Sequence, residues 1–317
     1  MHKVFDGAGA WYRGNLHSHT TNSDGELTPE EAARAYREAG YAFLCLTDHN
    51  LYTDYSEELS TEDFLVLPGT ELSAILFDKE YHCWKQHHMN GIAFRKGENS
   101  FHHMEEIPAI LRFDSWDGAE ILRQMSENLR SHGCYVTYNH PVWSRVEAHE
   151  FQFGGFYDAL EIFNYNTVNE SGTGACVPSW DEMLRKGIPM PAVASDDNHN
   201  GSFPDNFGGY VMVWAKELTP EALEDAMRQG SYYASSGPRI EQIEIDGEEI
   251  RVTCGPVERI NFIAGGEVGT GTTILSKDGE PLTGGAYHYR KTDTYVRVEC
   301  VDFTGKTAWS NPIFLHK

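Results

Sequence analysis

A chain of 317 residues, 40% hydrophobic and 12% aromatic, can bury the core of one large domain or two unequal ones, which rules out a disordered or fibrous polymer. Its 25 Lys+Arg against 48 Asp+Glu leave a formal net charge of -23, with no basic run able to neutralise a phosphate backbone. Nucleic-acid and anionic-membrane partners are therefore not expected, and most of the acids are expected to form a solvated surface.

The first residues, MHKVFDGAGAWYRGN, lack a long apolar stretch and a cleavage site, and nowhere do about 18 apolar residues run together, so a cytoplasmic protein is expected. The cysteines, Cys45, Cys83, Cys134, Cys176, Cys254 and Cys300, form no C-x-x-C pair and several lie in apolar runs; they read as reduced core thiols.

From residue 13 to about 235, short apolar runs alternate with helix-period segments, the pattern of β-α units around a parallel sheet or barrel. A strand at 15–17 leads to a helix opened by Thr28-Pro29-Glu30-Glu31 and closed at Gly40, then to a strand at 42–47. Further strands are expected at 64–67, 91–94, 135–138, 159–163, 190–194 and 209–214, with helices near 116–132, 178–186 and 219–229. After Ser235-Ser236-Gly237-Pro238 the pattern changes to short alternating strands, at 240–245, 250–253, 259–263, 294–301 and 307–314, separated by glycine turns. The expected organisation is an α/β domain over 1–238 and a small antiparallel β-sandwich-like module over 239–317.

Histidines and carboxylates concentrate where the expected strands of the first domain end, the place where α/β barrels build active sites. In LHSHTTNSDG, His17 and His19 share one face of an extended chain, and the loop through Gly25 lets Asp24 return to them. The next strand ends in Asp48-His49, whose side chains would lie beside the first pair. Glu71 follows Gly69 and is suited to bridging two cations. Strand phase favours His88 over His87 within a loop that also holds His82, His102 and His103. His140 precedes Pro141, which is expected to hold it extended. Asp196 and His199 lie three apart after another apolar run.

These motifs, LHSHTTNSDG, TDH, GTE, HHMNG, NHP and SDDNH, resemble in kind and order those of the PHP (polymerase and histidinol phosphatase) metallohydrolases over roughly residues 14–200. The appended SSGP and β module look most like the carbaryl-hydrolase-like (CehA/McbA) branch. The resemblance implies a distorted (β/α)7 barrel and two or three divalent ions, Zn, Mn or Fe. One would take His17, His19, Glu71 and Asp196, the next Glu71, His88 and His140, the third Asp24, His49 and His199. Asp24 stands where some members carry His, an oxygen that disfavours zinc there relative to manganese or iron.

The chemistry implied is hydrolysis of a small phosphorylated metabolite by a metal-bridging hydroxide, with Asp48 or Asp196 positioning the water and Arg145 clamping the phosphate. Two alternatives stay open: hydrolysis of carboxylic or carbamic esters or amides at the same centre, and a non-catalytic metal-binding interaction module. The sequence leaves the oligomeric state open.

Overall fold

The computed structural model describes residues 2–78, 83–113 and 115–315. His82, one of the histidines in the loop before His88, lies outside them.

Local signals set the helices. The Thr28 hydroxyl accepts from the Glu31 amide while the Glu31 carboxylate accepts from the Thr28 amide, with Pro29 in the first turn of Pro29–Glu38. That helix buries Ala32, Ala33 and Tyr36 against Leu44, Phe64 and Val66. The Asp117 side chain accepts from the Glu120 amide at the start of Gly118–Ser131, and the Thr219 side chain from the Ala222 amide at the start of Pro220–Arg228.

Two sheets frame the first domain. One runs in the order Ala192–Ser195, Ala159–Asn164, Tyr135–Tyr138, Cys83–Ile92, Gly69–Asp78, Ile110–Arg112. The other carries Leu65–Leu67, Phe43–Cys45, Ala10–Asn15, Tyr210–Ala215 and Tyr232–Ser235 as consecutive neighbours. Pairing is parallel from Ala10–Asn15 through Phe43–Cys45 to Leu65–Leu67, and again among Tyr135–Tyr138, Ala159–Asn164 and Ala192–Ser195.

The fold is mixed α/β, but the seven-fold strand-helix alternation expected above does not form. Gly69–Asp78 pairs antiparallel with Cys83–Ile92, which pairs antiparallel with Tyr135–Tyr138. Tyr210–Ala215 likewise runs antiparallel to Ala10–Asn15. For Gly69–Asp78 and Cys83–Ile92 the physical reason is connection length: so short a link between them leaves no room for a crossover helix and allows only a hairpin.

The change of pattern at Pro238 does not interrupt the sheet. Tyr232–Ser235 pairs with Thr307–Ser310, so one ten-stranded sheet runs from the first domain into Tyr295–Val301 and Arg259–Ala264. A four-stranded sheet, Leu282–His288, Glu249–Val257, Ile240–Asp246 and the N-terminal His2–Lys3, covers it around Ile243, Val252, Phe262 and Val298. Phe5 belongs to this core, packing on Trp11 and Tyr233 as well, so the chain's first residues join its last third to the first domain. Arg297, 1% exposed, fastens the two regions through paired contacts of 2.7 Å to Asp181 and one of 2.6 Å to Glu299, over the Trp180 ring.

Cys45, Cys134, Cys176, Cys254 and Cys300 are free and buried. No helix among the described residues is long and apolar enough to cross a membrane.

Candidate metal centre

The strands deliver their polar residues to one end. His17 and His19 follow Ala10–Asn15, Asp48 and His49 follow Phe43–Cys45, and His140 follows Tyr135–Tyr138. Glu71 and His88 face one another near the matched positions of the hairpin, with His88 Nδ1 3.0 Å from Glu71 Oε1.

Glu71 is the hub. Its Oε1 lies 3.1 Å from His17 Nε2 and 3.3 Å from His140 Nε2, and its Oε2 lies 2.9 Å from His49 Nδ1 and 3.5 Å from His19 Nε2. Asp197 is the second hub, its Oδ1 3.0 Å from both His17 Nε2 and His19 Nε2. Asp24 completes an outer group, 3.4 Å from His199 Nε2 and 3.5 Å from His49 Nε2. This outer group is open to solvent, with Asp24 56% and His49 28% exposed, whereas His17, His19 and Glu71 are fully buried.

Four of the inward atoms, His17 Nε2, His19 Nε2, Glu71 Oε2 and Asp197 Oδ1, have no hydrogen-bond partner although buried. Buried lone pairs left unsatisfied are costly, so their convergence fits a bound cation rather than packing. Among the described residues, ligand atoms within 4.8 Å of one another fall into four groups: His19, Asp24, His49, His199; His17, His140, Asp197; His17, His19, Glu71; and His49, Glu71, His88. A mixed imidazole and carboxylate set of this kind suits divalent zinc, manganese or iron.

The electrostatics have the same origin. Burial opposes charge on Glu71, yet His88, His17 and His49 hold its carboxyl well below the usual range. Burial alone would depress His49, but Glu71 and Asp24 hold it up at about 9. His17 is likewise raised, against burial, by Asp197, Glu71 and Glu161. His19 is pushed down to about 3 by burial and by the neighbouring His49.

Asp196 does not join this cluster. Its carboxylate is 0% exposed and accepts from the amides of Phe207, Gly208 and Gly209, at 2.7 to 2.8 Å, and from the Tyr36 hydroxyl at 2.6 Å. It anchors the chain after residue 200 and stands in for missing backbone partners. Glycine is required there, because a Cβ at Gly208 would lie 2.3 Å from the Tyr165 ring and one at Gly209 2.3 Å from the Ser195 carbonyl. Asp197 takes the inward position instead. Its left-handed backbone, φ 55°, breaks the alternation on which strand phase relies.

Asp48 also stands outside the cluster: it accepts from the Thr20 amide and hydroxyl and from Ser23 Oγ, fastening the loop that carries Asp24. His140 is not extended but has φ 26°, and its Nδ1 lies 3.0 Å from Ser144 Oγ. Arg145 is exposed and lines a neighbouring cavity, not the one that holds the histidines and carboxylates. His87 is buried against Tyr138 Oη at 2.7 Å and Trp116, leaving the inward position to His88 as strand phase suggests.

The sequence reading missed Glu161. Buried in Ala159–Asn164, it lies 3.0 Å from His17 Nδ1, which directs Nε2 inward, and accepts from the His140 amide and Asn164 Nδ2, each at 2.9 Å. A lone carboxylate in the apolar run ALEIF was the available signal. Asn139 Nδ2 donates to Glu71 Oε1, and Gln86 Oε1 lies 2.7 Å from His88 Nε2, leaving His88 Nδ1 directed at Glu71.

Residues 15–137 match the PHP domain family. Within that matched segment lie His17, His19, Asp24, His49, Glu71 and His88, while His140, Asp197 and His199 follow it. Residues 181–251 match a family of proteins of unknown function, DUF3604. No curated protein matched the chain. Among solved structures, the chain is similar to a two-domain protein from Bacteroides vulgatus containing a predicted PHP-like metal-dependent phosphoesterase. Identity is 13% over 93% of this chain and 92% of that one, with a TM-score of 0.48. It is also similar to a protein from Bifidobacterium adolescentis assigned as a metal-dependent phosphoesterase, at 13% identity over 68% of this chain and 96% of that one, with a TM-score of 0.44.

Proposed function

We propose that the chain is a metal-dependent phosphoesterase that hydrolyses a small phosphorylated molecule at this centre. Its ligands would be His17, His19, Asp24, His49, Glu71, His88, His140, Asp197 and His199, holding about two or three ions of manganese, iron or zinc. The observation that carries the proposal is the convergence of buried, unpartnered imidazole and carboxylate atoms, most of them from the segment that matches the PHP domain family.

Divalent ions bound there would make water nucleophilic near neutral pH and offset charge developing on phosphoryl oxygens. The chain's own residues do the rest. Glu161, Gln86 and Ser144 fix which nitrogen of His17, His88 and His140 faces inward. Asp48 and Asp196 act one step back, holding the Asp24 loop and the segment after His199. The cavity over the cluster, about 380 Å³, admits a small molecule and is flanked by Ser202 and Gly201, which offer neutral donors, while Asn166 Nδ2 is committed to the Asp197 carbonyl and His199 Nδ1. No Lys or Arg among the described residues lines it, so a phosphate there depends on the bound cations for countercharge.

That same lack of a basic clamp favours a second reading, hydrolysis of carboxylic or carbamic esters at the same centre. Elemental analysis of the purified full chain, followed by assay of the manganese-loaded protein on small phosphomonoesters, aryl esters and carbamates, separates the two. Phosphomonoester turnover abolished by chelator is expected. Turnover of the carbon esters alone would replace the first reading by the second, and protein that cannot be loaded with metal would overturn both.

A further inference from the structure

We propose that a second cavity beside the metal centre is a subsite for the organic part of the substrate, and that it takes a flat aromatic group carrying a negative charge. The proposal rests on the phosphoesterase reading for the reaction and on a separate set of residues for the subsite.

This cavity, about 770 Å³, has Trp84, Trp143, Gln86 and Arg145 in its walls. It adjoins the metal centre directly. Trp143 lines both cavities, and its ring packs on His140 with centroids 5.0 Å apart and on His88 at 6.0 Å. Its indole N–H donates to Glu170 across the mouth at 2.6 Å. Gln86, on the opposite wall, touches His88 Nε2. A group bonded to a phosphorus held at the cluster therefore has this cavity as its neighbouring space.

The walls specify what that group is. Trp84 leaves 60% of its surface exposed, a cost that burial against a ligand ring would recover. It is held from behind by the Phe77 ring at 4.2 Å, itself stacked on Phe113, so it presents a fixed indole. Among the charged residues, Lys85 is already neutralised by both oxygens of Glu150 at 3.1 Å, and Glu147 stands at the start of Ala148–Phe151. The Arg145 guanidinium makes no hydrogen bond or ion pair among the described residues. It is also held at φ 60°, a left-handed conformation costly for a residue with a Cβ and retained where the surroundings impose it. Two indoles and an uncommitted guanidinium match an aryl ring bearing a carboxylate or a second phosphate.

The test uses the full manganese-loaded chain with 4-carboxyphenyl phosphate, phenyl phosphate and glycerol phosphate. An aryl oxide leaves more easily whatever the enzyme does, so the deciding quantity is the change in the ratio of kcat/KM values between wild type and variant. Trp84→Ala should lower the aryl-to-glycerol ratio about tenfold, and Arg145→Ala should lower the carboxyphenyl-to-phenyl ratio about tenfold. Both side chains are exposed, and Leu275→Ala, on the far module, serves as a control that should change neither ratio. Binding of 4-hydroxybenzoate, followed by calorimetry, tests the subsite without turnover: saturable binding to wild type and its loss in both variants are expected. If the acid binds in this way but no phosphoester is hydrolysed, the subsite stands and the phosphoesterase reading falls. If phosphoesters are hydrolysed while the ratios stay unchanged and 4-hydroxybenzoate does not bind, the subsite is overturned.

Discussion

The adjacent pair Asp196 and Asp197 gives a sharp test of the centre, because the two carboxylates are chemically identical and differ only in what they face. Replacing Asp196 by Asn keeps its size but turns half of its acceptor surface into a donor. Four donors currently point at that carboxylate, three amides and the Tyr36 hydroxyl, all within 2.6 to 2.8 Å. The amide can satisfy the carbonyl-side donors, and the hydroxyl can rotate, but the Phe207 amide is then left facing an NH₂ group. One lost charge-assisted hydrogen bond plus one unsatisfied buried donor costs about 2–4 kcal/mol, or a melting point lower by roughly 5–10 °C. Metal content should be unchanged.

Asp197→Asn should do the opposite. Its Oδ1 accepts from no backbone amide or hydroxyl and faces only His17 and His19, at 3.0 Å, so the loss falls on cation binding. A cation present at a hundred times its dissociation constant stabilises the fold by about 2.7 kcal/mol. The gap between melting curves with and without chelator should therefore persist in Asp196→Asn and collapse in Asp197→Asn, with metal content by elemental analysis following the same pattern. An Asp197→Asn protein that keeps its full metal complement, beside an Asp196→Asn protein that loses it, would refute this division of roles.

Glu161→Ala should weaken metal retention about 10- to 100-fold, because His17 loses the partner of its Nδ1 and the His140 amide loses its acceptor; a competition titration with a chelating dye measures this, and an unchanged dissociation constant would contradict it. Loading the metal-free chain at pH 7 should release protons, because His17 is raised above its ordinary value and His49 stands at about 9, so both are protonated before a cation takes their lone pairs. Apparent affinity should accordingly climb as pH rises towards about 9, while the stability these two charged imidazoles lend the metal-free fold is lost over the same rise. Calorimetry in buffers of different ionisation enthalpy measures the release, and a heat independent of buffer would rule it out.

Much of the centre was legible before any coordinates. His17, His19, Asp24, His49, His140 and His199 follow parallel strands, whose C-terminal ends collect on one side of a sheet, and Glu71 and His88 join them from the hairpin Gly69–Asp78/Cys83–Ile92. Helix boundaries were legible for a similar reason: Thr28, Asp117 and Thr219 satisfy backbone groups within three residues of themselves. What the sequence could not decide depends on partners distant along the chain. Whether Asp196 or Asp197 faces inward is settled by Tyr36 and Gly208, brought in from other elements. Whether Gly69–Asp78 and Cys83–Ile92 form a hairpin instead of two strands of a barrel, and whether Tyr232–Ser235 continues into the last third of the chain, are matters of strand pairing. Apolar periodicity shows that a strand has a buried face but does not name the strand beside it, and that choice belongs to the tertiary structure alone.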